Sequence, residues 1–356
     1  MRRAVARIDD GAIVRNCARL RDVAKTRLCV VVKADGYGHG AVAAARAAQR
    51  GGAEWLAVAT ALEAAELRAA GVDGPLLVMG ALSPEELPIA LAARADVVAW
   101  RRGFLDALPG DARVHVKLDT GMGRLGTRDA EEALDVAREA AAGGRLVGAM
   151  THFATSDDDA AFAREQLAAF APFVAAVRDL APEVLAHAAN SAAALGLPES
   201  RLDLVRCGVA AYGLDPFQRD PADHGLVPAM TLTSYVAEVK PIAQGESAGY
   251  GRRFVAERPG WLATLPIGYG DGVRRGLSDN AEVLIGGRRH PLVGTVSMDN
   301  VTVALPAPVE TGQEAILLGA QGGERILAED WAARLQTINY EVTCGVSARV
   351  PREHGA

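Results

Sequence analysis

Leu28-Cys29-Val30-Val31-Val32-Lys33-Ala34 opens a series of eight short apolar runs, most of them β-branched. The series continues through WLAVAT (55–60), PLLVMG (75–80), DVVAW (96–100), RVHVKLD (113–119), LVGAMTH (146–152), VLAHAAN (184–190) and LDLVRCG (202–208). Between them lie Ala-rich stretches such as AVAAARAAQR (41–50), RDAEEALDVAREAA (128–141) and DAAFAREQLAAFAPFVAAVRDL (159–180). These are apolar at helical spacing, with Glu and Arg on the remaining positions. Repeated strand–helix–strand connections impose parallel pairing, so the pattern predicts an α/β fold with an N-terminal (β/α)8 barrel. Ser83-Pro84-Glu85-Glu86 reads as a helix start, with a capping Ser, Pro in the first turn and acids at the positive dipole end.

After about residue 234 the texture changes to short strands broken by Gly and Pro: TSYVAEVKPI, WLATLPIGYG, AEVLIGGRRHPLVGTVS, NVTVALP and EAILLGA. This predicts a C-terminal domain made mainly of β-strands, with one late helix near AEDWAARL (328–335). The expected division is a barrel over 11–233 and a β domain built from 1–10 and 234–356.

Half of the 356 residues are hydrophobic, but Ala dominates. No uninterrupted apolar run approaches the roughly 20 residues of a membrane span. MRRAVARIDDGAIV lacks the apolar core of a signal peptide, so the cytoplasm is the expected compartment. Cys17, Cys29, Cys207 and Cys344 are scattered, without CxxC or metal-site spacing, and read as reduced thiols. A net charge of -6 and no basic stripe point away from nucleic acid and toward a small-molecule substrate.

In a barrel of this kind, chemistry sits at the C-terminal ends of the strands. The first strand ends in Lys33, followed by ADGYGHG. A partly desolvated Lys suits Schiff-base chemistry because burial favours the neutral amine; the alternative is an end-of-strand Lys pointing to water. On the fifth strand His115, Lys117 and Asp119 recur at period two, with Arg124 close behind. They either line the barrel interior, where charges must be paired, or alternate with an apolar face and meet solvent. The sixth strand ends in Thr151-His152, the seventh in His187-Ala188-Ala189-Asn190-Ser191, and the eighth in Arg206-Cys207-Gly208-Val209. Singly each His is commonplace; together these polar strand ends describe a site.

VVKADGYGHG, VKLDTGMGRLG, THFATSD, HAANSAA, VRCGVAAYGLDP, AGYGRRF, IGYGDG, VGTVSMDN and INYEVTCGVSARVPR resemble, in order and spacing, the motifs of the alanine racemases, fold-type III pyridoxal-phosphate enzymes. The resemblance covers nearly the whole chain. It implies a TIM barrel plus a β domain, pyridoxal 5'-phosphate as cofactor, an amino-acid substrate, and a homodimer with shared active sites. It further implies interconversion of L- and D-alanine through an aldimine and two-base proton transfer, supplying D-alanine for peptidoglycan.

Carried onto this sequence, the resemblance makes Lys33 the cofactor lysine. It gives the phosphate to Tyr37, Ser191, the backbone of Gly208 and Val209, and Tyr340. Arg206 becomes the partner of the pyridine nitrogen, a donor that does not protonate the ring. Racemisation needs acid/base groups on both faces of the α-carbon. Lys33 serves one, and Tyr250 of the partner subunit serves the other, removing the α-proton of L-alanine. A phenol titrates near pH 10, so Tyr250 needs help, assigned to His152 and, behind it, Arg206. Met298 and Asp299 fall near the substrate carboxylate, Tyr269 at the entrance, and Arg124 steadies substrate and cofactor. Lys117 aligns with a lysine often carbamylated in the family, the alternative being a plain Lys paired with Asp119. Thr295 stands where many relatives carry an arginine near the channel.

Three other readings compete with this one. A metal-dependent barrel hydrolase could use a carbamylated Lys117 with His152 and His187, but Lys33 and Arg206 stand where such a site needs ligands. A non-catalytic cofactor-binding barrel leaves the β domain with Tyr250 and Met298 unexplained. A fold-type III decarboxylase should set a carboxylate, not Arg206, against the ring nitrogen.

Overall fold

A computed structural model describes residues 2–355; Met1 and Ala356, the outermost residues of the expected β domain, lie outside the described residues. All eight runs are strands: Arg27–Val31, Trp55–Val58, Leu76–Val78, Asp96–Ala99, Val114–Lys117, Leu146–Met150, Leu185–His187 and Leu204–Cys207. Consecutive strands from the first to the seventh pair in parallel, and the first also pairs with the eighth. The seam between the seventh and eighth is bridged by Asp203 N–H donating to Ala186 O at 3.0 Å and Arg206 N–H to Ala189 O at 2.9 Å. Wrapped by helices outside and filled by side chains inside, five of the eight strands, among them Trp55–Val58, Asp96–Ala99 and Val114–Lys117, are buried at every position.

The helix starts follow local chemistry. Thr60 and Glu63 form a reciprocal capping box ahead of Ala61–Ala69. Ser83 does the same with Glu86: its Oγ accepts from Glu86 N–H at 3.3 Å while Glu86 accepts from Ser83 N–H at 3.0 Å. The regular helix there begins only at Leu87. Ala160–Leu180 is the one helix among the described residues long and apolar enough, by composition, to cross a membrane. Here it buries Phe170, Phe173 and Val177, and Arg164 and Glu165 interrupt its apolar run.

The chain forms two compact units, with the barrel in Ile13–Ala211 plus His224–Leu226. The other takes the N-terminal stretch to Ala12, Tyr212–Asp223 and the chain from Val227 onward. In this second unit Ala4–Asp9 pairs antiparallel with Met230–Tyr235 and parallel with Arg352–Gly355, which ties both ends of the sequence into one large, mostly antiparallel sheet. Leu232, Val283, Leu284, Ile316 and Leu317 form part of its core. The late helix is Ala328–Leu335, followed by a short one at Asn339–Cys344.

Candidate active site

Lys33 stands where the first barrel strand gives way to a left-handed turn. Ala34, Asp35, Gly36 and Tyr37 have φ between 52° and 61°. A left-handed conformation costs an L-residue roughly 1–2 kcal/mol, and three of these four are not glycine. The turn is held by its surroundings. Glu63 accepts from Ala34 N–H at 2.7 Å, Asp35 accepts from Ala41 N–H at 2.9 Å, and the Asp35 carbonyl from Gly40 N–H at 2.8 Å. Strain concentrated at one point and compensated by neighbours is typical of functional loops. Its effect is to turn Tyr37 inward, where the side chain is buried beside Gly208.

That juxtaposition gives a test of fit for a phosphate ester. A Cβ at Gly208 would come within 2.3 Å of the Tyr37 hydroxyl oxygen, so only glycine lets the backbone reach this place. Ser191 Oγ accepts from Gly208 N–H at 3.0 Å and from Ala210 N–H at 3.4 Å. With Gly208 N–H so engaged, Val209 N–H is left without a protein acceptor among the described residues. Two hydroxyls and an unclaimed amide at a tight glycine match a dianionic phosphate. Gly208→Ala is therefore expected to weaken pyridoxal-phosphate binding at least about tenfold, or ~1.4 kcal/mol. Fluorescence titration of the cofactor measures this, and an unchanged Kd would mean that the cradle relaxes around the methyl.

Arg206 is buried and clamped. Nη1 donates to His187 Nδ1 at 2.8 Å and His187 O at 2.9 Å. Nη2 donates to Thr151 O at 2.8 Å, Ala188 O at 3.0 Å and His152 Nδ1 at 3.2 Å. None of these bonds uses Nε, so one directed N–H of a fixed guanidinium remains for a ligand. Burial lowers the Arg206 pKa to about 10, which leaves it cationic at neutral pH. His152 is driven well below its ordinary range by burial, then by Arg206, Lys117, Arg124 and Lys33. A neutral His152 that accepts at Nδ1 must carry its proton at Nε2, as a donor.

Lys117 lies inside the barrel, as do His115 and Asp119. The plain pairing of Lys117 with Asp119 is not what forms. Asp119 accepts from Gly121 and Gly123 N–H at 3.0 Å and from Arg128 at 3.3 Å. Among the described residues neither Lys117 nor Arg124 makes an ion pair. Burial first, then Arg206 and Arg124, lower the Lys117 pKa from 10.5 to about 8. Positive charge from Arg206, Arg124 and Lys33 thus outweighs that of Asp119 around Lys117.

The β unit carries the other expected residues. Tyr250 sits on a loop shaped by left-handed Gly249 and Gly251, and Thr295 Oγ donates to the Tyr250 carbonyl at 2.9 Å. Thr295 thus supports the loop that carries Tyr250. Tyr269 N–H donates to Ser297 O and Gly270 N–H to Met298 O, both at 2.9 Å, which sets Tyr269, Met298 and Asp299 on adjoining loops. Tyr250 is 74% exposed, Met298 52% and Tyr269 42%. The Asp299 carboxylate is taken by Arg349 at 2.7 Å and Arg3 at 3.3 Å. What Asp299 and Met298 still offer an anion is their backbone N–H groups, which make no protein hydrogen bond among the described residues. Tyr340 is half-buried on the short helix Asn339–Cys344.

Both nitrogens of His187 are committed, Nδ1 to Arg206 and Nε2 to His115 at 2.8 Å, so it has no lone pair left for a metal. A lysine beside a strained turn, a tight glycine among two hydroxyls and an unclaimed amide, and a clamped arginine at the strand ends fit a pyridoxal-phosphate enzyme of the barrel type. Residues 8–216 match the family model for the alanine racemase N-terminal domain, and 229–354 that for the C-terminal domain. The alanine racemase of Symbiobacterium thermophilum is 41% identical over 100% of this chain and 98% of its own, and that of Geobacillus stearothermophilus 39% over 98% and 92%. The crystal structure of alanine racemase from D-cycloserine-producing Streptomyces lavendulae superposes with a TM-score of 0.93 at 38% identity, covering 99% of this chain and 97% of that one. The chain belongs to the alanine racemase family of pyridoxal-phosphate-dependent racemases.

Proposed function

We propose that this protein racemises alanine in the cytoplasm, supplying D-alanine for peptidoglycan, as a homodimer in which each barrel site is completed by the partner's β unit. The observation that carries this is the Arg206 clamp on the strand that pairs with the one leading to Lys33, with Tyr37, Ser191 and Gly208 brought together at the neighbouring strand ends. Exposure of Tyr250, Tyr269 and Met298 supports their use by a second subunit. Four free cysteines fit a reducing compartment.

Lys33 would hold pyridoxal phosphate, with Tyr37, Ser191, Gly208 and Val209 around the phosphate. Bound there, pyridoxal phosphate would supply the electron withdrawal that weakens the C–H bond at the substrate α-carbon. Arg206, whose Nε–H is left over by its protein bonds, would hold the ring nitrogen as a donor that keeps its proton, which would limit electron withdrawal and favour return of a proton to the α-carbon over other outcomes. The Lys33 amine exchanges a proton at one face of that carbon and the Tyr250 phenolate at the other. From L-alanine, Tyr250 removes the proton and Lys33 delivers one; from D-alanine the roles reverse. His152 donates from Nε2 to the phenolic oxygen and stabilises its anion. Arg124 and the backbone N–H groups of Met298 and Asp299 meet the substrate carboxylate; the Asp299 carboxylate, already neutralised, does not oppose it.

Lys117 is carried as a carbamate that orients Arg124. A lysine titrating near pH 8 keeps enough neutral amine to add carbon dioxide, and the resulting anion answers the surrounding cations. Without it, the unfolded chain holds a proton between about pH 8 and 10.5 that the folded chain releases, so stability rises with pH across that window. The rise is up to about 3 kcal/mol. Bicarbonate at constant neutral pH should give a similar gain, and Lys117→Met should remove both responses in denaturant titrations. A pH profile the same in Lys117→Met as in the parent would refute it.

Loss of optical activity from L-alanine, L-serine and L-lysine, followed separately with and without pyridoxal phosphate, tests the activity. Cofactor-dependent loss with alanine alone is expected. Comparable loss with serine or lysine would make the substrate range broader, and no loss would refute the reading.

A further inference from the structure

From the floor of the barrel to its catalytic rim runs an unbroken line of buried side chains. Asp96, first residue of the fourth strand, takes Arg113 Nε at 2.8 Å on one oxygen and His115 Nε2 at 3.2 Å on the other. His115 Nδ1 meets His187 Nε2 at 2.8 Å, and His187 Nδ1 meets Arg206 Nη1 at 2.8 Å. From Arg206 the line continues to His152. Asp96, His115, His187 and Arg206 are all buried.

We propose that Asp96 and His115 are positioning residues for the racemase site, because this line can run in one direction only and thereby keeps His187 a neutral acceptor for Arg206. The inference rests on the reading of Arg206 as the partner of the cofactor ring. A guanidinium only donates, so His187 Nδ1 must accept and its proton must sit on Nε2. His115 then accepts at Nδ1 and donates from Nε2 to Asp96, an ionised carboxylate that only accepts. Donor-only and acceptor-only groups at the two ends demand the same polarity. Reversal would set a His187 N–H against an Arg206 N–H at 2.8 Å.

The surroundings hold the rings in place. Trp55 packs edge-on to His115 with centroids 5.4 Å apart, and His115 to His187 at 5.0 Å. Gly148 leaves the space His115 needs: a Cβ there would lie 2.1 Å from Nδ1. Burial, then Arg206, His115 and Lys117, push His187 well below its ordinary range, consistent with a neutral ring. Burial alone would raise the Asp96 carboxyl, but hydrogen bonds from His115 and Arg113 hold it below the usual range. A floor carboxylate thus decides, two imidazoles away, how firmly the arginine is held.

Imidazole nitrogen NMR on the nitrogen-labelled holoenzyme reads the tautomers directly. His115 and His187 should both carry the proton on Nε2. His115→Phe should perturb the His187 resonances, shift the absorption of bound cofactor, and lower kcat in both directions about tenfold or more while the KM for alanine stays within about twofold. His115→Gln, whose amide can accept from His187 and donate to Asp96, should recover most of the loss. Asp96→Asn should also lose kcat, because Arg113 claims the amide oxygen and turns the N–H toward His115. Adding Arg113→Ala, a half-exposed position, should restore it. The proposal fails if the wild-type tautomers differ, if His115→Phe folds with unchanged kcat and His187 signals, or if the Gln variant loses as much as Phe. If His115→Phe does not fold, an Asp96→Asn variant with unaltered kcat overturns it. Wild-type protein that shows the tautomers but racemises nothing refutes the proposed activity and leaves the line intact.

Discussion

Lys33→Ala is expected to lower alanine racemisation in both directions by at least about ten-thousandfold. Two functions vanish together: the covalent hold on the cofactor and the base on one face of the α-carbon. The variant should still fold, because Lys33 is half-buried at the edge of the left-handed turn and the bonds from Glu63 and Asp35 that hold the turn do not involve its side chain. Added pyridoxal phosphate should bind in the Tyr37–Ser191–Gly208 cradle yet lack the visible absorption band of a lysine linkage. A band of full strength in the variant would place the cofactor lysine elsewhere, and Lys117 would be the next residue to replace.

Tyr250→Phe is expected to act in one direction. Loss of a general base costs about a hundred- to ten-thousandfold. That cost should fall on removal of the α-proton from L-alanine, while Lys33 continues to exchange the proton of D-alanine with solvent. Exchange from each enantiomer in deuterated water separates the two. Losses of equal size from both would sink the two-base assignment. A companion change, Thr295→Val, removes the hydroxyl that holds the Tyr250 carbonyl and should give a smaller loss of the same sign.

The barrel was legible because its strands are mainly apolar and its helices repeat at their own period. Lys33, His152, Ser191 and Arg206 stood out because polar residues closed otherwise apolar strands. Other parts were not legible. Nothing in ADGY announces four consecutive left-handed residues, since three are not glycine and the turn depends on Glu63, which sequence shows only as one more acid on a helix. Asp96 carried a faint signal, a lone charge heading the run DVVAW, but its partner lies 19 residues on and becomes a neighbour only through parallel pairing. The pairing of Lys117 with Asp119, the alternative to a carbamylated lysine, does not form; the backbone amides of the next loop take the carboxylate instead.

Sequence by itself determined the order of elements and the family, because period, turn residues and side-chain type are local properties. Tertiary structure decided charge and proton. Burial in a closed barrel removes water, so which nitrogen of His187 carries hydrogen, whether Lys117 holds its proton, and where Arg206 points depend on donors and acceptors brought from five different strands. No single stretch of the chain contains that information.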